Sequence, residues 1–115
     1  MSLDSSIIKA ANGDSPYWMA VPHGLGDSME GYRWMPDQMR LPWLNYLLIN
    51  APDPYFTGYS WFDIEGDREP GICRSRDLLF QTLDTFRSQE SVSADHLFVF
   101  GFSQGCVMTL ETGFR

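Results

Sequence analysis

Basic residues are scarce in this chain. It has one lysine, Lys9, and seven arginines scattered along its 115 residues. Against fifteen Asp and Glu they leave a formal net charge of −7. That balance offers no phosphate-binding surface, so nucleic acid is not an expected partner. An anionic membrane surface would repel the chain for the same reason. No apolar run approaches the length of a membrane span. Met1 to Gly13 contains no basic segment followed by an apolar stretch, so no signal peptide is legible and the cytoplasm is the expected compartment. Two cysteines, Cys73 and Cys106, are too few for a disulfide framework or a metal site. No cofactor and no metal are expected. Oligomeric state is not readable.

Large apolar side chains are plentiful, with four Trp and eight Phe, which argues against disorder. The length suits one domain around one core. Residues 1–14 read as a polar lead-in. Tyr17 to Val21 is a compact apolar run that reads as a buried strand, stopped by Pro22 and the glycine-rich loop His23-Gly24-Leu25-Gly26-Asp27. Asp27 can cap a following helix, with Glu30 three residues on as in a capping box. Gly31 weakens that helix and Pro36 limits it. Tyr46 to Ile49 reads as the second strand, and Asn50 to Ser60, with Pro52, Pro54 and Gly58, as loop.

Ile72, Leu79, Leu83 and Phe86 fall on one helical face, which predicts an amphipathic helix over roughly Gly71 to Gln89. Leu97 to Phe100 reads as a third strand, and Ser103 to Thr112 as the start of another helix. Apolar strands alternating with helices indicate an α/β protein with a mostly parallel sheet. Such sheets place their chemistry in loops after the carboxyl ends of strands. Here the loops at residues 23–27 and 101–105 qualify.

Gly101-Phe102-Ser103-Gln104-Gly105 is G-x-S-x-G, directly after an apolar strand and directly before a helix-compatible run. A sharp strand-to-helix turn lifts the Ser103 hydroxyl above the sheet. Glycines two residues either side remove Cβ atoms that would clash in so tight a turn. The Gln104 N–H and the helix N-terminus then face a developing oxyanion. The 23–27 loop supplies a second donor, for which the Leu25 N–H is the candidate. Ser103 is the expected nucleophile; a solvated serine in an ordinary turn is the bland alternative.

Three segments, His23-Gly24-Leu25-Gly26-Asp27, Trp61-Phe62-Asp63-Ile64 and Gly101-Phe102-Ser103-Gln104-Gly105, occur in that order. Together they resemble the phospholipase/carboxylesterase family, which includes the acyl-protein thioesterases and small bacterial carboxylesterases. The resemblance runs from about Val21 to Met108. It implies an α/β-hydrolase fold and a Ser-His-Asp hydrolase of esters or thioesters that needs no cofactor. It implies oxyanion-hole N–H groups from Leu25 and Gln104, and a structural role for His23. The segment between Ala51 and Trp61 is shorter than is usual in that family. Trp61, Phe62 and Phe102 are candidates for lining the substrate pocket, although a Trp-Phe pair in a loop is more often local core.

In this fold the triad runs Ser, then Asp or Glu, then His along the chain. After Ser103 there is one acid, Glu111, and no histidine. Glu111 reads as a solvated helix residue. His96 sits at the end of the sheet away from the chemistry. Residues 1–115 are therefore expected to be the N-terminal part of a single hydrolase domain, ending after the helix that follows Ser103. The base and acid would lie beyond residue 115. The alternative is a truncated or non-catalytic module that binds an apolar ligand or a protein through the same cleft. A dienelactone-hydrolase-like or peptidase member of the fold is the third reading. Cys106 is expected to be a small buried residue packing helix on sheet, Cys73 carries no signal, and Met29, Met35 and Met39 read as packing. Asp63, Glu65, Asp67 and Glu69, with Arg68 among them, read as a solvated acidic loop.

Overall fold

Two mostly apolar runs form the centre of the fold. In the computed structural model, which describes residues 3–62 and 68–113, these are strands β2 (Tyr17–Pro22) and β3 (Leu44–Ile49). They pair in parallel, from Tyr17 opposite Leu44 to Pro22 opposite Ile49. Every residue of β3 is buried, as expected of a strand covered on both faces. The two-residue period sorts the side chains. Trp18, Ala20, Leu47 and Ile49 face one core cluster; Met19, Val21, Tyr46 and Leu48 face the other.

The first cluster is closed by helix α2 (Arg68–Glu90), which buries Leu79, Leu83 and Phe86 against the sheet, with Ile72 half-buried beside them. The Phe86 ring meets Trp18 edge-on at 4.8 Å. Each such buried side chain contributes about 1.5–3 kcal/mol. The helix predicted from the periodicity is thus present and a few residues longer. The second cluster is closed by a 3₁₀ turn, Met29–Tyr32, and the short helix α1 (Met35–Met39) through Tyr32 and Met35. Pro36 sits in the first turn of α1, where a missing N–H costs nothing.

Three expectations are corrected here. The lead-in is not plain loop: Ser5–Ile8 forms strand β1, antiparallel to β3. Its Ser-Ser-Ile-Ile pattern suits a half-exposed edge strand. The 50–60 segment is not plain loop either. Strands β4 (Asp53–Tyr55) and β5 (Gly58–Ser60) make a small hairpin that turns at Phe56 and Thr57. The capping box does not form. Ser28 precedes the 3₁₀ turn without a side-chain cap, Asp27 Oδ1 accepts the adjacent Ser28 N–H, and Glu30 pairs with Arg33 at 2.8 Å.

The third strand, β6 (Leu97–Val99), pairs in parallel with β2, giving the order β1-β3-β2-β6. Among the described residues it has one strand neighbour, and Phe98 and Phe100 are 48% and 44% exposed at this edge. Helix α3 (Gln104–Gly113) follows. Among the described residues no helix is long and apolar enough to cross a membrane.

Candidate functional site

Strand β6 runs parallel to β2, so the segments that leave their carboxyl ends lie side by side. The Phe100 N–H donates to the Ala20 carbonyl at 2.9 Å, and the chain then turns into α3. Ser103 makes that turn with φ 53°, a left-handed conformation that is uncommon for a residue with a side chain. Its side chain is exposed. The Phe102 carbonyl accepts from Gly105 at 2.8 Å and the Ser103 carbonyl from Cys106 at 2.9 Å, so the first turn of α3 is tied down immediately.

The flanking glycines fit by necessity of space. A Cβ on Gly105 would stand 2.1 Å from the Pro22 carbonyl oxygen; one on Gly101 would stand 2.1 Å from the Gly105 carbonyl oxygen. The 23–27 loop closes on the same point. A Cβ on Gly24 would lie 3.3 Å from both Ser103 Cβ and the Phe102 carbonyl oxygen. Leu25 follows directly. Among the described residues neither the Leu25 N–H nor the Gln104 N–H donates to a protein acceptor.

The loop is held on several sides. Gly26 N–H donates to Tyr59 O, and Tyr59 N–H to Asp27 O, both at 2.9 Å, so the hairpin clasps it. The Tyr32 hydroxyl accepts the Gly24 N–H at 3.3 Å, and its ring lies 5.0 Å from that of Phe102. Burial raises the Tyr32 pKa, and its hydrogen bond to Asp27 adds to the rise.

His23 is fully buried. Its Nε2 accepts the Ala51 N–H at 3.0 Å, which leaves the ring proton on Nδ1 to donate to the Gly24 carbonyl at 2.6 Å. Burial lowers its pKa, opposed by the Gly24 bond and the Asp27 charge. Both nitrogens are committed to the backbone, and neither is available to take a proton from Ser103. His96 lies in a 3₁₀ turn, Ala94–His96, with its ring against Tyr17 at 4.9 Å, at the opposite end of β2.

The pocket candidates divide. Trp61 is 0% and Phe62 5% exposed, both within the first core cluster. Both rings pack in the core, the commoner reading of a Trp-Phe pair in a loop. Phe102 is half-buried and packs on Phe100 and Tyr32 beside Ser103. Cys106 corrects another expectation, since it is exposed. The side of α3 turned inward carries Gln104, Gly105 and Met108, which leaves position 106 facing out. Asp63, Ile64, Glu65 and Asp67 lie outside the described residues, while Glu69 is exposed in the first turn of α2. Among the described residues no three His, Cys, Asp or Glu gather as a metal site.

Sequence reasoning missed one feature. The Gln104 side chain is buried, where its Oε1 accepts the Trp61 N–H at 3.0 Å and its Nε2 donates to the Phe62 carbonyl at 2.8 Å. The Trp61 indole N–H in turn donates to the His23 carbonyl at 2.8 Å. No local pattern announces these bonds, which join residues 38 to 43 positions apart.

A sheet whose two adjacent parallel strands lead into a glycine loop and a strained serine turn defines the chain as an α/β-hydrolase fold protein. The phospholipase/carboxylesterase family model matches residues 8–115, and the chain belongs to that family. Acyl-protein thioesterase 1 of Schizosaccharomyces pombe is 29% identical over 104 residues, covering 79% of this chain and 46% of that protein. Acyl-protein thioesterase 1 of Debaryomyces hansenii is 31% identical over 110 residues, covering 78% and 47%. The crystal structure of esterase PE8 superposes with a TM-score of 0.83 at 26% identity, covering 100% of this chain and 59% of that one. The chain spans about half the length of the thioesterases it matches.

Proposed function

We propose that residues 1–115 carry the nucleophile and oxyanion-binding portion of a serine hydrolase of carboxylic esters or thioesters. The observation that supports this most is the juxtaposition at Ser103. A serine at φ 53°, between strand and helix, abuts the Gly24 loop, and two backbone N–H groups nearby lack acceptors among the described residues.

In this reading Ser103 Oγ attacks the acyl carbon, its proton passes to a base, and the carbonyl electrons move onto the oxygen. The Leu25 and Gln104 N–H groups, aided by the positive end of α3, hold that oxyanion. On collapse the alcohol or thiol leaves with the proton, and water later cleaves the acyl-serine. Phe102 borders the acyl group. His23, with both nitrogens bonded to backbone, and His96, at the far end of β2, do not fit the role of base, so in this reading the base is a histidine outside residues 1–115. The names of the thioesterase relatives favour thioesters within the substrate class, and a cytoplasmic location accompanies the reading.

The experiment is hydrolysis of p-nitrophenyl acetate by the protein expressed from its whole reading frame. Ser103→Ala should abolish turnover, whereas isolated residues 1–115 should show little. Full activity in Ser103→Ala would sink the proposal.

A further inference from the structure

We infer that the Gln104 carboxamide is a positioning group, acting with Ser60–Phe62 as a strap that sets the relative placement of the Leu25 and Gln104 N–H groups. The inference rests on the proposed role of Ser103 and concerns the side chain of Gln104, where that role used its backbone.

The bonding leaves this side chain no freedom. Trp61 N–H can only donate and Phe62 carbonyl can only accept, so the carboxamide satisfies both in one orientation alone. A carboxylate could not donate to Phe62, and an apolar side chain would leave the Trp61 N–H buried without a partner and the Phe62 carbonyl with the Ser60 hydroxyl alone. Ser60 Oγ, 3.4 Å from Oε1, also donates to Phe62 O at 2.7 Å and stiffens the segment.

The same segment reaches the other donor. The Trp61 indole N–H holds the His23 carbonyl, and the His23 ring holds the Gly24 carbonyl next to Leu25. The Trp61 carbonyl accepts the Ser75 hydroxyl from α2, which anchors the strap to the core. One buried segment therefore grips the start of α3 on one side and the Gly24 loop on the other. There is little slack between them: a Cβ on Gly105 would stand 2.6 Å from the His23 carbonyl oxygen. A shift in the strap therefore changes the spacing of the two N–H groups. Oxyanion stabilisation depends on both converging on one oxygen, so the strap should act on the chemical step.

The test measures Gln104→Met, Trp61→Phe and the double variant in the protein expressed from its whole reading frame. Turnover is normalised to folded protein by near-UV circular dichroism. Gln104→Met should lower kcat about 10- to 100-fold while KM stays within about twofold, because only transition-state binding is lost. The double variant should lose less than the product of the single losses, because both substitutions cut one strap. Unchanged kcat in folded Gln104→Met, or multiplicative losses, would overturn the inference. If Gln104→Met does not fold, Trp61→Phe decides alone by the same split between kcat and KM. Ser103→Ala separates the two claims. Wild-type turnover in Ser103→Ala overturns the proposed function and the strap together. An inactive Ser103→Ala beside a fully active Gln104→Met overturns the strap only.

Discussion

Substituting alanine for Gly105 asks whether the turn depends on backbone contact. Gly105 lies in the first turn of α3, packed on the end of β2. An added methyl group would stand 2.1 Å from Pro22 O and 2.6 Å from His23 O. Ordinary contact begins at 3.4 Å, so strand and helix must separate by about 1.3 Å, the difference between 3.4 and 2.1. Neither neighbour is a flexible side chain that could swing away. Alanine improves helix propensity by about 1 kcal/mol, but overpacking of this kind costs about 3 kcal/mol or more. The expected net loss is about 2 kcal/mol, a large part of a marginal total of about 5–15 kcal/mol. Urea denaturation followed by tryptophan fluorescence reads it, since Trp18 and Trp61 are buried. The midpoint should fall by about 1 M. An unchanged or higher midpoint in Gly105→Ala would refute the reasoning, because propensity would then outweigh the clash.

Two further expectations concern buried groups. The His23 pKa is lowered by folding, so the unfolded chain binds the extra proton first as pH falls through the ordinary histidine value of about 6.5. Stability contributed by neutral His23 is complete above that value and declines below it, by up to about 1.4 kcal/mol per pH unit. Urea midpoints at two pH values either side of 6.5 should show this decline in the wild type and lose it in His23→Gln. Equal slopes in both would contradict the assignment. The Tyr46 hydroxyl is buried and, among the described residues, has no hydrogen-bond partner. Tyr46→Phe should therefore be neutral or stabilising by up to about 1 kcal/mol in the same assay, and a clear loss would mean that the hydroxyl is satisfied.

The parts of the fold legible in the sequence were those with strong local pattern. Strand β2 and the Tyr46–Ile49 part of β3 announce themselves as apolar runs because both faces are covered, and α2 does so by helical spacing of Leu79, Leu83 and Phe86. The strand, turn and helix around Ser103 follow from glycines whose absent Cβ atoms the packing requires. Strand β1 was hidden because an edge strand needs few apolar residues, and Ser5 and Ser6 carry no hydrophobic signal. The β4–β5 hairpin was hidden because its strands have three residues each and Pro52 and Pro54 mark its start as loop. Cys106 was misplaced because its burial depends on which side of α3 meets the sheet. The Gln104 bonds were invisible for a similar reason: a glutamine in a helix looks the same in sequence whether it meets water or a distant backbone segment. Local core is the commoner reading of the Trp61-Phe62 pair in sequence, and the buried bonds around Trp61 agree with it.

The central claim is that Ser103 is the nucleophile, and covalent labelling tests it most directly. The protein expressed from its whole reading frame is treated with a fluorophosphonate, digested and analysed by mass spectrometry. One phosphonyl adduct per molecule, on the Ser103 hydroxyl and lost in Ser103→Ala, is the expected result. Ester turnover with Ser103 unlabelled, or stoichiometric labelling of a different serine, would contradict it.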